Sequence, residues 1–204
     1  DLSSGVTTIY SNNFSFAALK EDGSVVTWGD SNVGGDSSNV AAELSGVSTI
    51  YSNSDAFAAL KEDGSVVTWG NGGFGGNSSS VASELSSGVS TIFTSGGAFA
   101  ALKDDGSVVT WGESDYGGDS SSVASALSSG VTTIYSNVYA FAALKDDGSV
   151  VTWGLSDRGG DSSIVASELS SSVSSIYSTH FAFAALKDDG SVVTWGESDY
   201  GGDS

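Results

Sequence analysis

The sequence predicts an all-β fold, a five-bladed β-propeller, and three observations lead there. First, Trp28, Trp69, Trp111, Trp153 and Trp195 recur at spacings of 41, 42, 42 and 42 residues. Second, "FAALKEDGSVVTWG", Phe16 to Gly29, returns with at most Asp for Glu at 57–70, 99–112, 141–154 and 183–196. Third, within this stretch both faces of the chain are apolar, the mark of a sheet buried on two sides. A period of this length signals a repeat architecture. The units run approximately 1–43, 44–84, 85–126, 127–168 and 169–204, one domain without a linker. The short spacing arises where "LSGV", Leu44 to Val47, lacks a Ser present in "LSSGV", Leu2 to Val6.

Each unit has the same order. "GVTTIYS", Gly5 to Ser11, is β-branched and aromatic, with Val6, Thr8 and Tyr10 alternating with Thr7 and Ile9, and predicts a first strand. "FAALK" predicts a second strand. "EDGS" predicts a hairpin, because Asp-Gly supplies positive φ angles. "SVVTWG" predicts the third strand. A polar Gly-Gly loop follows, then "NVAAEL", Asn39 to Leu44, where Val40 and Leu44 lie four apart. With Asp36, Ser37 or Ser38 as N-cap, that segment suits one or two helical turns; a short fourth strand is the alternative.

A three-stranded unit cannot bury two apolar faces alone, but units stacked radially can. The repeated Phe, Trp and Leu are then the packing between blades, and their constancy needs no site to explain it. A linear solenoid competes with this architecture. A β-trefoil would require three units rather than five. The chain reads as a mature or excised fragment, and closure of the ring within it requires its ends to be neighbours. Without closure, self-association through open blade edges replaces a monomer.

The chain carries 25 acids and six bases, a net charge of −19. The five Lys hold one repeated position and Arg158 is the sixth base, so no basic patch forms. That excludes nucleic acid and anionic membrane surfaces as partners. There is no Cys, and no apolar run long enough for membrane insertion. Proline is absent, where a chain of this size averages about ten. The acids flanking each Lys predict solvated or partly buried ion pairs at the turn, of small individual worth.

"ALKEDGSVVTWGDSNVGG" resembles the repeat of the regulator of chromosome condensation family: an aliphatic strand, a Gly turn, a "VxxWG" strand and a glycine loop. The resemblance recurs in all five units and implies a β-propeller. The family repeat is longer and usually has His where this chain has Phe14, Asp55, Gly97, Tyr139 and Phe181. The family's guanine-nucleotide exchange and chromatin binding do not carry over, since no exchange residue matches and the charge opposes chromatin. The chain looks more like short, acidic, highly repetitive bacterial proteins of the cyanobacterial type, which are secreted or on the cell surface.

Two windows vary between copies. One follows the first strand: Asn12-Asn13-Phe14, then 53–55, 95–97, 137–139 and 179–181. The other follows the Trp strand: Asp30 to Val33, then 71–74, 113–116, 155–158 and 197–200. An up-and-down meander puts both on one face of the disc and the "LKEDGS" turns on the other. A variable face on a fixed scaffold is the layout of a recognition surface, although loops also drift when nothing holds them. The candidate ligand-binding residues are Asn12, Asn13, Phe14, Asp55, Phe74, Tyr116, Tyr139, Arg158, His180, Phe181 and Tyr200. They suit a protein or glycan ligand. The competing function is a purely structural or engineered symmetric scaffold.

No enzyme is expected. His180 is the only His and occurs in one copy, and no Ser or Asp has a repeated base and orienting partner. Calcium is the one cofactor the pattern raises, because Asp30 to Asp36 alternates acids and amides. The second copy, "NGGFGGN", has no acid there. Asp-or-Asn at 36, 77, 119, 161 and 203 suits a helix cap better than a hard cation, so no metal ligand is assigned.

Overall fold

A computed structural model describes residues 2–203. It contains five separate three-stranded antiparallel sheets, each an up-and-down meander in chain order. Blade 1 is β1 (Val6–Ser11), β2 (Ser15–Lys20) and β3 (Val25–Gly29). Blade 2 is β4 (Val47–Ser52), β5 (Ala56–Lys61) and β6 (Val66–Gly70). Blade 3 is β7 (Val89–Thr94), β8 (Ala98–Lys103) and β9 (Val108–Gly112). Blade 4 is β10 (Val131–Ser136), β11 (Ala140–Lys145) and β12 (Val150–Gly154). Blade 5 is β13 (Val173–Ser178), β14 (Ala182–Lys187) and β15 (Val192–Gly196). The expected all-β propeller of five repeats is what the chain forms.

The first strand does not alternate as expected. A bulge between Val6 and Thr8 recurs in every blade. The residue inside it is always Thr or Ser, because its hydroxyl donates to the carbonyl of the partner strand, as Thr7 does to Leu19 at 3.1 Å. The bulge moves Val47 and Ile50 onto one face, three apart, and Tyr51 onto the other. The hairpin turn also differs in detail. Only its Gly has positive φ, +74° at Gly23. Asp22 instead accepts hydrogen bonds from the Ser24 N–H and hydroxyl, at 3.0 and 2.6 Å. These bonds hold the Asp22 carboxyl below its ordinary pKa, and the same happens at Asp63, Asp105, Asp147 and Asp189.

The segment after the glycine loop is helical rather than a fourth strand, but shorter and tighter than expected: a single 3-10 turn, Ser38–Val40, running into irregular turns. A second 3-10 turn, Ser31–Val33, lies inside what reads as polar loop, capped by the Asp30 side chain, which accepts from the Asn32 N–H. Asp36, Asp119 and Asp161 each accept the Ser N–H two residues on, at 2.8–2.9 Å, and Asn77 does the same at 3.0 Å. One acceptor oxygen is all this turn uses, which is why Asp and Asn interchange.

Successive blades meet through one repeated junction. The trailing face of blade 1 contributes Ala17, Leu19, Tyr10 and Val25. The leading face of blade 2 contributes Val47, Ile50, Phe57, Ala59, Val67 and Trp69, with Val40 and Leu44 from the connection. Phe57 stacks on Trp69 at 5.2 Å, and the Trp69 indole N–H donates to the Gly34 carbonyl at 3.1 Å. Gly34 has to be glycine. Its φ is +106°, and a Cβ there would sit 2.6 Å from the Phe57 ring. Three further junctions repeat the pattern with Gly75, Gly117 and Gly159. The Gly23 carbonyl, in the hairpin turn of blade 1, accepts from Val47 N–H of blade 2 at 3.0 Å, which ties the opposite rim together.

The repeated Lys do not form the expected ion pairs. Lys103, Lys145 and Lys187 donate to the backbone carbonyls of Glu84, Ala126 and Glu168 at 2.6–2.9 Å. Those carbonyls lie where the connection turns toward the next blade, so the ammonium satisfies backbone acceptors. Among the described residues the ion pairs all involve Arg158. The ends Asp1 and Ser204, whose proximity ring closure requires, lie outside the described residues.

Candidate functional site

The two variable windows of each blade are clasped together by a side chain at the first position of the first window. Asn12 donates to the Val33 carbonyl at 2.6 Å, and its own carbonyl oxygen accepts the N–H groups of Phe14 and Ser15. Asn53 and Asn137 repeat this with the carbonyls of Phe74 and Arg158. Ser95 and Thr179 do the same through hydroxyls, to Tyr116 and Tyr200. Asn12 is therefore engaged with its own chain on both sides of its amide. The pattern Asn, Asn, Ser, Asn, Thr was visible in the copies as small polar residues able to bond in both directions.

The windows of neighbouring blades are also linked. The Asn13 N–H donates to the Ser54 carbonyl, Ser54 to Gly96, Gly96 to Val138 and Val138 to His180. The result is a continuous backbone ledge across all five blades. Upon it the copy-specific rings form a ladder. Phe74 meets Tyr116 at 5.9 Å, Tyr116 stacks on Tyr139 at 4.8 Å, and Tyr139 meets Phe181 at 5.7 Å. Phe181 ends the ladder edge-on to Tyr200 at 4.5 Å. Gly97 makes room for it: a Cβ there would lie 2.9 Å from the Phe74 ring and 3.0 Å from the Tyr116 ring.

Arg158 stands over the Phe181 ring, its guanidinium carbon 4.6 Å from the ring centre. It is also paired with Glu197. The pairing neutralises the one base in these windows, and the carboxylates of Glu113 and Asp115 act on the ladder beside Tyr116. The Tyr116 hydroxyl is pushed above its ordinary pKa by burial first, and then by Tyr139 and the carboxylates of Glu113 and Asp115. It stays protonated and can donate a hydrogen bond. His180 is exposed and lies against Phe181 at 6.0 Å. Phe14 and Asn13 are exposed on blade 1, away from the ladder, and Asp55 is half-buried on blade 2.

Phe74, Tyr116, Tyr139, Arg158, Phe181 and His180 are thus one connected group with Tyr200, while Asn13, Phe14 and Asp55 stand apart from it. Phe74, Tyr116, Tyr139 and Phe181 are half-buried against each other, whereas Tyr200, 48% accessible, and His180 are exposed. Nothing in the sequence marks which rings touch, because the contacts join window two of blades 2 and 3 to window one of blades 4 and 5.

No family model matches the chain, and no curated protein matches it. Solved structures do. Human WBSCR16 superposes with a TM-score of 0.57 at 19% identity, over 94% of this chain and 61% of that one. Prp20p of Saccharomyces cerevisiae, the yeast RCC1, gives 0.54 at 14%, over 94% and 58%. The ectodomain of the Physcomitrella patens receptor kinase CR4 gives 0.52 at 16%, over 94% and 50%. The chain spans between half and about three fifths of the length of each. At these identities the likeness is one of fold, and that fold is an RCC1-like β-propeller.

Proposed function

We propose that the chain is a non-catalytic recognition module of a secreted or cell-surface repeat protein, of the short acidic bacterial type, and that it binds through the face bearing the ring ladder. One observation carries this. Five copies that agree almost residue for residue in their hairpins place their differences on a single ledge, and there the differing residues assemble into one aromatic row. Exposed ring edges beside carboxylates and Tyr hydroxyls suit the apolar faces of sugar rings or a protein segment. Prp20p is studied for binding Gsp1p and histones and is solved with Kap60, so a propeller of this fold can serve protein binding.

A scaffold with no ligand is the second reading. It is favoured by the packing of the rings on each other, which also locks neighbouring blades.

Glycan and peptide arrays probed with the whole chain separate the two. The recognition reading expects a hit that is lost in Tyr139→Ser/His180→Ser/Tyr200→Ser and kept in Glu62→Ser, on the opposite rim. No hit, or a hit that the triple variant keeps, leaves the scaffold reading.

A further inference from the structure

The faces at the two ends of the blade series are the two unmatched halves of the interior junction. Blade 1 exposes a leading face: Ile9 is 58% and Phe16 42% accessible, whereas Ile50 and Phe57 are 2% and 0%. Blade 5 exposes a trailing face: Tyr177 is 63% and Val192 56% accessible, and Leu186 is half-buried where Leu19, Leu60, Leu102 and Leu144 are buried.

Each missing partner at one end is present at the other. Phe16 already stacks on Trp28 at 5.2 Å and 16°, the geometry of Phe57 on Trp69 and Phe99 on Trp111. The Trp28 indole N–H has no acceptor among the described residues, while the four other indoles each donate to a glycine carbonyl. The glycine due next in that series is Gly201. It has the same left-handed backbone, φ +96°, and nothing within 4 Å of the Cβ position that a Phe ring covers in the interior. Gly190 likewise has nothing near it, where Gly64 packs on the next blade's Gly88.

We infer that two copies of this chain join head to tail, blade 5 of one against blade 1 of the next, through a fifth instance of the interior junction. The Phe16–Trp28 pair seats on Gly201 of the next copy, the indole N–H donates to the Gly201 carbonyl, and Val6 N–H donates to the Gly190 carbonyl. A second copy is the occupant because the surface is shaped for this repeat, and the complement on the page is the repeat's own other side. The contact is between faces of sheets, not the open strand edges that the sequence suggests. Being heterologous, it leaves one face of each kind free on every dimer. The inference is independent of the recognition face, which lies on the rim.

Sedimentation velocity on the whole chain tests it. The wild type is expected to exceed the mass of one chain as concentration rises. Added salt strengthens the association, since it screens repulsion between copies of charge −19. Ile9→Asp spoils the leading face and Val192→Asp the trailing face. Each variant alone is expected to stay a single chain, with wild-type circular dichroism. Their equimolar mixture is expected to form a one-to-one dimer and nothing larger. Trp28→Phe, which removes no hydrogen bond from the single chain, is expected to weaken wild-type association about fivefold to tenfold. A wild type that remains one chain at every concentration and salt overturns the inference. So does either Asp variant associating with itself, or a mixture that does not pair.

Discussion

Phe16 and Phe57 hold the same place in the same fourteen-residue hairpin, each stacked on its own Trp at 5.2 Å, yet one is 42% accessible and the other sealed. The difference comes entirely from what stands next to the blade. In the interior, the preceding blade supplies Ala17, Leu19, Tyr10 and a glycine whose missing Cβ admits the ring. At the start of the series, no described residue covers that face. A blade is therefore complete as a hydrogen-bonded sheet and incomplete as a core. Its local geometry survives at the ends because strand pairing sets it, while its hydrophobic stabilisation depends on the neighbour.

The largest effect expected from this contrast is at the phenylalanines. Phe99→Ala should cost about 3–5 kcal/mol, the usual range for emptying a packed aromatic site. Phe16→Ala should cost well under half of that, since much of the ring already meets water. Denaturant unfolding of the two variants at low protein concentration measures both. Equal losses would mean that the Phe16 ring is as well covered as Phe99.

Next come the indole N–H groups. Trp111→Phe leaves the buried Gly75 carbonyl without its donor, at a cost of about 1–3 kcal/mol. Trp28→Phe strands no acceptor in the single chain and is expected to leave the dilute melting temperature nearly unchanged.

In the junction between blades 4 and 5 a serine takes a place that glycine holds in the other three. Ser172 has φ +64°, where Gly46, Gly88 and Gly130 occupy the same position with φ from +65° to +76°. A non-glycine residue in this region carries a strain of about 1–2 kcal/mol. Ser172→Gly should therefore raise stability by about 1 kcal/mol, or about 2–4 °C in Tm for a chain of this size. The reverse change, Gly130→Ser, should lower it by a like amount. Calorimetry checks both.

The smallest effect is in acid. Hydrogen bonds from Ser107 lower the Asp105 carboxyl pKa in the folded chain. A depressed folded pKa gives stability that is present above the unfolded carboxylate pKa and lost as pH falls through the folded one. Asp105→Asn keeps the acceptor oxygen, as Asn77 does in the other repeated turn. The variant should be slightly less stable than the wild type near neutrality and should lose less stability than it does as pH falls below the ordinary carboxylate range, so that the two converge in acid. Melting temperatures across that window decide it.

The repeat, the three strands and the propeller were legible because period, β-branched residues and turn glycines report on backbone directly. Three features were not. The bulge at Thr7 hides behind an apparent alternation, since Thr and Ser read as ordinary strand residues until their hydroxyls are seen on the neighbouring strand. The Lys series looked like ion pairs because acids flank it in sequence, whereas its acceptors are carbonyls 19 residues away. The exposed end faces could not be read at all: "FAALK" is identical in covered and uncovered blades. At the candidate site, the grouping of the two windows on one rim followed from strand order. The ladder did not, because its contacts depend on the rotation between blades and on the space above Gly97, which no single repeat encodes.

One junction occurs four times between the blades of the chain, and its two halves stand uncovered on blades 1 and 5. The five indole N–H signals in an NMR hydrogen-exchange experiment on dilute protein distinguish covered from uncovered junctions. Four slowly exchanging indoles and one fast one are expected, the fast one assigned to Trp28 by its loss in Trp28→Phe and becoming protected as the protein is concentrated. Five equally protected indoles in the dilute single chain would contradict this, because blade 1 would then already have a neighbour.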